Sequence, residues 1–433
     1  MTSAGSGDGD GSGRNRSTWM LVAILALGVV ATVQALLVEP RMHRPIFYDE
    51  QRFGVYADNL RLHGFFGDEA GKFPATVEMR SVGYSAGVAP GYPFFLAGTR
   101  AVFGTGTRPI RIVQAIAAGA ATVFTALLGW RLFGSVGGIV AGLAMIATGE
   151  LAAYSQFGLS EVLATTFLAA AMFLVLVSFD RGSWPLMLGA GAVLGVSALF
   201  RPQALLLPIP LGAWALLSSR RGRALALALV GGTVIAVLPW TVRNHVRLHA
   251  IVPIASYAWG GAFLANNAHA GFIYAHPEDF IGVDEVRRIR SLPELAQEAA
   301  WRKLTLDWIR AHPGAALSGW IRNGWTFLTH IDDLMPRWYQ IRMQTVPRLD
   351  ERMLAPLALA GSIVAAAARL FTRRTFLPAI VALYTIAFFC FFLPIPRYRI
   401  AMLPALCVLA AAIPAAMWAL LNRLRPTTSA TRG

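Results

Sequence analysis

Two adjacent carboxylates, Asp49 and Glu50, stand a few residues past the first long apolar run. An ionised carboxylate within reach of a hydroxyl can take its proton or hold it in place, which is general-base chemistry. The pair opens a helical pattern, with Phe53, Tyr56, Leu60 and Gly64 on one face and Arg52, Asn59 and Arg61 largely on the other. Acids at a helix start also complement the dipole, so on these residues alone Asp49 fits an N-cap. Three sets of arginines could hold an anion. Arg201, followed by Pro202, interrupts an apolar stretch, where a charge is costly and marks a functional position unless it snorkels or pairs with Glu161 or Glu150. Arg243, in Pro239-Trp240-Thr241-Val242-Arg243-Asn244, leaves a span at headgroup level and suits a lipid phosphate; the plainer reading is a belt Trp beside an interfacial Arg. Pro396-Arg397-Tyr398-Arg399 sets two guanidinium forks, which match phosphate oxygens, around a tyrosine.

Other constellations carry less chemistry. His245 and His249 stand at i,i+4, and with His269 or His276 they could take a metal, but no carboxylate sits at a ligand-like spacing. Asp332-Asp333 reads as a solvated loop pair. No glycine-rich phosphate cradle of the nucleotide-binding kind is present, which argues against a soluble nucleotide as substrate. Cys390 and Cys407 both lie in apolar runs, so neither a disulfide framework nor a thiolate metal site is implied.

The elements that must position these residues are membrane helices. Apolar residues make up 56% of the 433 and charged residues 14%; mean hydropathy is +0.54. That composition belongs to a polytopic all-α membrane protein. The formal charge of +15 is gathered in bare clusters at helix ends: Arg14/Arg16, Arg220/Arg221/Arg223, Arg369/Arg373/Arg374 and Arg423/Arg425. These are positive-inside marks, not the continuous basic face that nucleic acid requires. Residues 1–18 read as a disordered cytoplasmic tail and 19–38 as a retained first span. A module over 19–242 contains a polar first loop, 39–89, with seven acids. Residues 243–351 form a large loop, 352–421 the last spans and 422–433 a cytoplasmic tail. Placing the arginine clusters in the cytoplasm puts both large loops, and with them all eight histidines, outside. The stretch 90–104 is short for a span and reads as an interfacial or a short tilted helix, and 184–218 as two short helices meeting at Arg201-Pro202. The count is about 10–11 transmembrane helices, ten if 90–104 is interfacial.

A carboxylate pair and several arginines thus converge on one external membrane face. A transferase whose leaving group is a lipid phosphate needs that combination: a carboxylate for the acceptor hydroxyl and guanidiniums for the growing phosphate charge. In this light Tyr48-Asp49-Glu50 with Tyr56-Ala57-Asp58-Asn59-Leu60 and Gly64-Phe65 resembles the first-loop motif of GT-C glycosyltransferases. The branch it looks like is the bacterial family-39 type, related to protein O-mannosyltransferases and the lipid A aminoarabinose transferase. Ala89-Pro90-Gly91-Tyr92-Pro93-Phe94-Phe95-Leu96 is similar to the Pro-rich segment after that loop. Ser160-Glu161, Leu199-Phe200-Arg201-Pro202, Pro239-Trp240…Arg243-Asn244, Pro253-Ile254, Asn266-Asn267 and Pro396-Arg397-Tyr398-Arg399 resemble its later motifs in order.

The resemblance implies a GT-C-like helical bundle with external loop helices, lying in a bacterial inner membrane. It also implies sugar transfer from a polyprenyl-phosphate sugar on the external face to a lipid, glycan or protein of the cell envelope; direct displacement of the phosphate would invert the sugar carbon. Asp49 would be the general base and Glu50 its partner, with Arg201, Arg243, Arg397 and Arg399 on the donor phosphate. Tyr56, Glu161, Asn244, Asn267 and Tyr398 would contact substrate. No cofactor is implied, and a divalent metal stays open. Segment 65–88 has no counterpart in the resemblance, so acceptor choice is placed there. A lipid-linked sugar flippase, or a subunit that kept the fold without activity, is the alternative; a flippase would show midplane sites and a repeat between halves, and no such repeat is visible.

Overall fold

The computed structural model describes residues 9–38, 48–68, 84–267, 276–329 and 351–424. Glu39, Glu69, Glu78, His269 and Asp332-Asp333 lie outside the described residues. Among those described, every regular element is helical. The first half holds α1 (Gly9–Leu37), α2 (Tyr48–His63), α3 (Gly91–Phe103), α4 (Thr107–Thr148), α5 (Glu150–Tyr154), α6 (Glu161–Arg181), α7 (Trp184–Phe200), α8 (Pro208–Ser218) and α9 (Gly222–Leu248). The large loop carries α10 (Ala258–Ala265), α11 (Glu278–Ile281), α12 (Val283–Arg290), α13 (Glu294–Ala311) and α14 (Pro313–Thr329). The last spans are α15 (Leu354–Ala367), α16 (Phe376–Phe391), α17 (Leu403–Ala410) and α18 (Ala412–Leu424).

Six of the described helical segments are long and apolar enough to cross a membrane, and three shorter apolar helices accompany them. The 42-residue α4 breaks at Phe133 and at Gly134, whose φ of 72° is glycine's territory, so it makes two legs. Counting both legs, the described helices supply ten apolar legs, the number expected with 90–104 off the membrane. The 13-residue helix α3 is not one of them. One boundary differs from the sequence reading. Helix α1 begins at Gly9, so residues 9–18, read as disordered tail, continue the helix of the first span.

Local rules set the positions that matter for the site. Arg201 is extended (φ −140°, ψ 104°) because the proline ring that follows disfavours the helical region, and Pro202–Leu206 turns as a 3-10 helix into α8. Ile395, also before a proline, is extended (φ −128°, ψ 141°) and feeds the 3-10 turn Pro396–Met402. Helix α6 runs from Glu161 to the arginine-rich end, where Asp180 meets Arg374 (2.8 Å) and Arg131 (3.5 Å). The 19 residues between Glu161 and Asp180 separate the two ends by about 28 Å. At that same end Trp214 donates to the Arg373 carbonyl and Arg221 to the Gly182 carbonyl. The bare arginine clusters around 221 and 373 therefore share one end of the bundle, and Glu161 lies at the other.

Helices α7 and α9 pack backbone to backbone through small residues, the usual means of close approach among membrane helices. A Cβ on Gly232 would lie 2.0 Å from the Leu188 carbonyl oxygen, and one on Gly191 2.2 Å from that of Leu229. Thr233 adds a hydrogen bond to the Gly191 carbonyl (3.1 Å). Gly232→Leu is expected to cost at least about 3 kcal/mol, the upper range for overpacking, since the obstacle is backbone. Size-exclusion profile and thermal unfolding of the purified variant check it.

Candidate functional site

Helix α2 is held at the acidic end by its neighbours. Arg100 of α3 donates to the Gly54 carbonyl (3.1 Å) and pairs with Asp58 (3.0 Å), while Phe53 and Tyr92 meet at 5.2 Å between ring centres. The carboxylate of Glu50 accepts the backbone N–H of Gly158 at 2.5 Å. That loop is itself fixed by buried Gln114, which donates to the carbonyls of Ser155 and Phe157 and accepts from the Tyr92 hydroxyl. Glu50 is thus the tie between the start of α2 and the segment that delivers Ser160 and Glu161. Its neighbour Asp49, one position round the helix, is left to face elsewhere.

Asp49 joins a cluster drawn from four distant parts of the chain. Its Oδ2 lies 2.5 Å from Nη2 of Arg397. Nε of Arg397 is 3.4 Å from Oε1 of Glu161, and Nη1 of Arg201 reaches the same oxygen at 3.3 Å. The Arg201 guanidinium stacks over the Tyr398 ring at 4.4 Å, and Tyr398 in turn stacks on Phe389. Glu161 is 3% exposed, Arg201 and Arg397 about one-seventh (14% and 15%), and the Asp49 side chain 35%. Neither Glu161 oxygen has a hydrogen-bond partner among the described residues, so two cations are held by charge at distances too long for good hydrogen bonds. Burial by itself would raise the Asp49 carboxyl; Arg397, Arg52 and Arg201 together outweigh it and hold Asp49 below its ordinary 3.8. The alternative partner weighed for Arg201 is resolved: it pairs with Glu161.

Several residues expected at the site are engaged elsewhere. Arg243 donates to the carbonyls of Ser85 (2.9 Å) and Phe66 (2.6 Å) and to the Asn244 side chain, and it lies on the Trp240 ring at 4.7 Å. It clamps the first loop to α9 instead of presenting an open fork. Asn244 is fully buried and donates to the carbonyls of Val252 and Ile254, closing the turn after α9. Tyr56 is fully buried with its hydroxyl 2.7 Å from Ser85 Oγ, and Asn267 donates to the carbonyls of Phe263 and Leu264. Arg399 is 3% exposed and donates to the Phe327 carbonyl inside the bundle. The reason is the 3-10 turn: at three residues per turn successive side chains diverge by about 120°, so Arg397 and Arg399 cannot share a ligand face. Among the described residues no group of three His, Cys, Asp or Glu gathers as a metal site.

Two features escaped the sequence reading. Tyr257, just before α10 and 45% exposed, stands in the electrostatic reach of Asp49, Arg52, Arg201 and Tyr398. Nothing in its sequence neighbourhood marks it. Ser85 and Glu294 form a hub beside Tyr56 and Arg243. Glu294 accepts from Ser85 Oγ (2.6 Å), the Ala86 N–H (3.0 Å) and Ser256 Oγ, and so joins the first loop, the segment before α10 and α13. Glu294→Ala is expected to leave these donors without their partner and to loosen the hub by about 1–3 kcal/mol. Faster amide exchange at residues 84–88 and 256–260, with the spans unaffected, is the readout.

An apolar groove of about 670 Å³ opens between α3, α7 and α9, lined by Phe94, Phe95, Leu199, Phe200 and Trp240, with Arg243 at its rim. Leu199 and Phe200 lead directly into Arg201.

Residues 87–242 match the family profile described as dolichyl-phosphate-mannose-protein mannosyltransferase. No curated protein sequence matches the chain. Among solved structures, the apo Archaeoglobus fulgidus oligosaccharyltransferase superposes with a TM-score of 0.57 at 12% identity, covering 95% of this chain and 52% of that one. The archaeal oligosaccharyltransferase AglB from Archaeoglobus fulgidus, in complex with an inhibitory peptide and a dolichol-phosphate, gives 0.53 at 13%, covering 96% and 53%. ArnT from Cupriavidus metallidurans, bound to undecaprenyl phosphate, gives 0.43 at 17%, covering 92% and 79%. This chain spans about half the length of the oligosaccharyltransferase.

Proposed function

We propose that this chain, which has the helical fold of the GT-C membrane glycosyltransferases, transfers a sugar from a polyprenyl-phosphate donor to an acceptor hydroxyl. The observation that carries the reading is the convergence of Asp49, Glu161, Arg201 and Arg397 on one partly open cluster at the acidic end. The dolichol-phosphate held by the structurally similar AglB supports a lipid phosphate as the donor's leaving group.

In this mechanism the acceptor oxygen attacks the anomeric carbon, its proton passes to Asp49, and the bond from that carbon to the phosphate oxygen breaks. The electron pair leaves with the polyprenyl phosphate, whose charge is met by Arg201 and Arg397. Direct displacement inverts the sugar carbon. The polyprenyl chain lies in the groove between α3, α7 and α9, entering from the bilayer. Glu161 fixes the two guanidiniums, and Tyr398 supports Arg201 from below. The positive-inside rule puts the arginine-rich end in the cytoplasm and the cluster on the external face of a bacterial inner membrane. The acceptor is a lipid, glycan or protein of that face.

Purified protein, native lipid extract and a panel of radiolabelled polyprenyl-phosphate sugars test this. Release of polyprenyl phosphate with label moving to an acceptor is expected. Binding without release, across the panel, would turn the case to a flippase or an inactive relative.

A further inference from the structure

We propose that Arg397 withholds Asp49 from the acceptor until a donor phosphate draws Arg397 away, so that donor binding must precede acceptor activation. The inference rests on the transferase reading and adds an order to it. Arg397 has one short contact, to Asp49 at 2.5 Å, and one loose contact, to Glu161 at 3.4 Å through an Nε that is buried without a hydrogen bond. Arg201 is equally loose on the same Glu161 oxygen, and its guanidinium makes no hydrogen bond among the described residues. One carboxylate is thus shared by two forks and satisfies neither. A phosphate offers several acceptor oxygens to a fork and would be the better partner for both.

While Arg397 holds it, Asp49 is a poor base, because its lone pairs and charge are already engaged. The groups around Asp49 all bear on this. Arg397 comes from the 3-10 turn, Arg201 from the end of α7, and Arg52 from its own helix; Tyr257 faces it from the segment before α10. Of these, the contact to Arg397 is the one that a phosphate would compete for directly. When the guanidinium turns to the phosphate, the carboxylate is freed beside the anomeric carbon, and the phosphate's own charge raises its basicity. A free enzyme would then not deprotonate an acceptor before a donor is in place.

The test uses the full chain in detergent, with undecaprenyl phosphate as the probe. Asp49→Asn removes the competing charge, so the probe should bind about fivefold more tightly than to wild type, the gain expected from releasing a partly exposed ion pair. Isotope trapping supplies the kinetic arm: labelled donor preloaded on wild-type protein should be carried into product when chased with acceptor and unlabelled donor. An inactive, folded Asp49→Asn whose affinity for the probe is unchanged or weaker would overturn the gate while leaving Asp49 as the base. Failure to trap preloaded donor would overturn the order. Full transfer by Asp49→Asn would instead remove the base assignment on which the gate depends.

Discussion

Asp49→Asn should lower sugar transfer by about 10²- to 10⁴-fold, the range in which a positioned general base contributes. The amide is nearly isosteric and keeps a hydrogen-bond acceptor for Arg397, so the bundle should assemble as in wild type. What it cannot do is take a proton. Wild-type transfer should also be insensitive to Asp49's own titration near neutrality. Burial raises that carboxyl but Arg397, Arg52 and Arg201 together more than offset it, leaving the folded value below 3.8. The sign follows: the Asp49–Arg397 tie contributes its stability above the unfolded value and loses it as pH falls through the lower folded one. Single-turnover rates with saturating donor, together with a size-exclusion profile, check the first statement. Retained transfer in a folded Asp49→Asn protein would remove the base.

Arg397→Ala should have the second large effect, on both rate and stability. Losing one preorganised donor to a developing anion costs about 10²- to 10³-fold. The same change leaves Glu161, 3% exposed, with only Arg201, and strips Asp49 of its partner. Breaking a fully buried pair costs about 3–5 kcal/mol; with Asp49 35% exposed, about 1–3 kcal/mol is the discounted expectation. Arg397→Lys separates the two effects. It restores the charge, and so much of the stability, without the planar fork that engages two oxygens. Thermal unfolding and transfer rate should therefore part company in the lysine variant: stability near wild type, rate near the alanine variant. If both recover together, charge alone is what position 397 supplies.

The helical bundle was legible because long apolar runs and bare arginine clusters are local signals. The break at Arg201-Pro202 was legible too, since a proline restricts the residue before it whatever the tertiary context. The core of the candidate site could be read in part: Asp49 from its acid pair, Arg201 from a charge in an apolar stretch, Arg397 from the guanidinium forks set around a tyrosine. Motif membership, however, does not tell which way a side chain points. Arg243 and Arg399 carry the same guanidinium, yet the first is taken up by the carbonyls of Phe66 and Ser85 and the second turns inward to Phe327. For Arg399 the deciding fact is the pitch of a 3-10 turn, which its sequence did not announce. Glu50 was read as the partner of Asp49 because it adjoins it; a helix turns adjacent residues about 100° apart, and this one meets the Gly158 backbone. The Ser85–Glu294 hub depends on contacts between residues 208 and 209 positions apart, and Tyr257 on neighbours from other segments, beyond the reach of periodicity or spacing.

The central claim is that the donor's phosphate sits on Arg201 and Arg397, beside Asp49. A structure of the wild-type protein with undecaprenyl phosphate bound tests it most directly. The account predicts phosphate oxygens within hydrogen-bond distance of both guanidiniums, the Arg397–Asp49 contact opened, and the isoprenoid chain in the groove past Phe200 and Leu199. A phosphate seated instead at Arg243, with Arg397 still closed on Asp49, would contradict it.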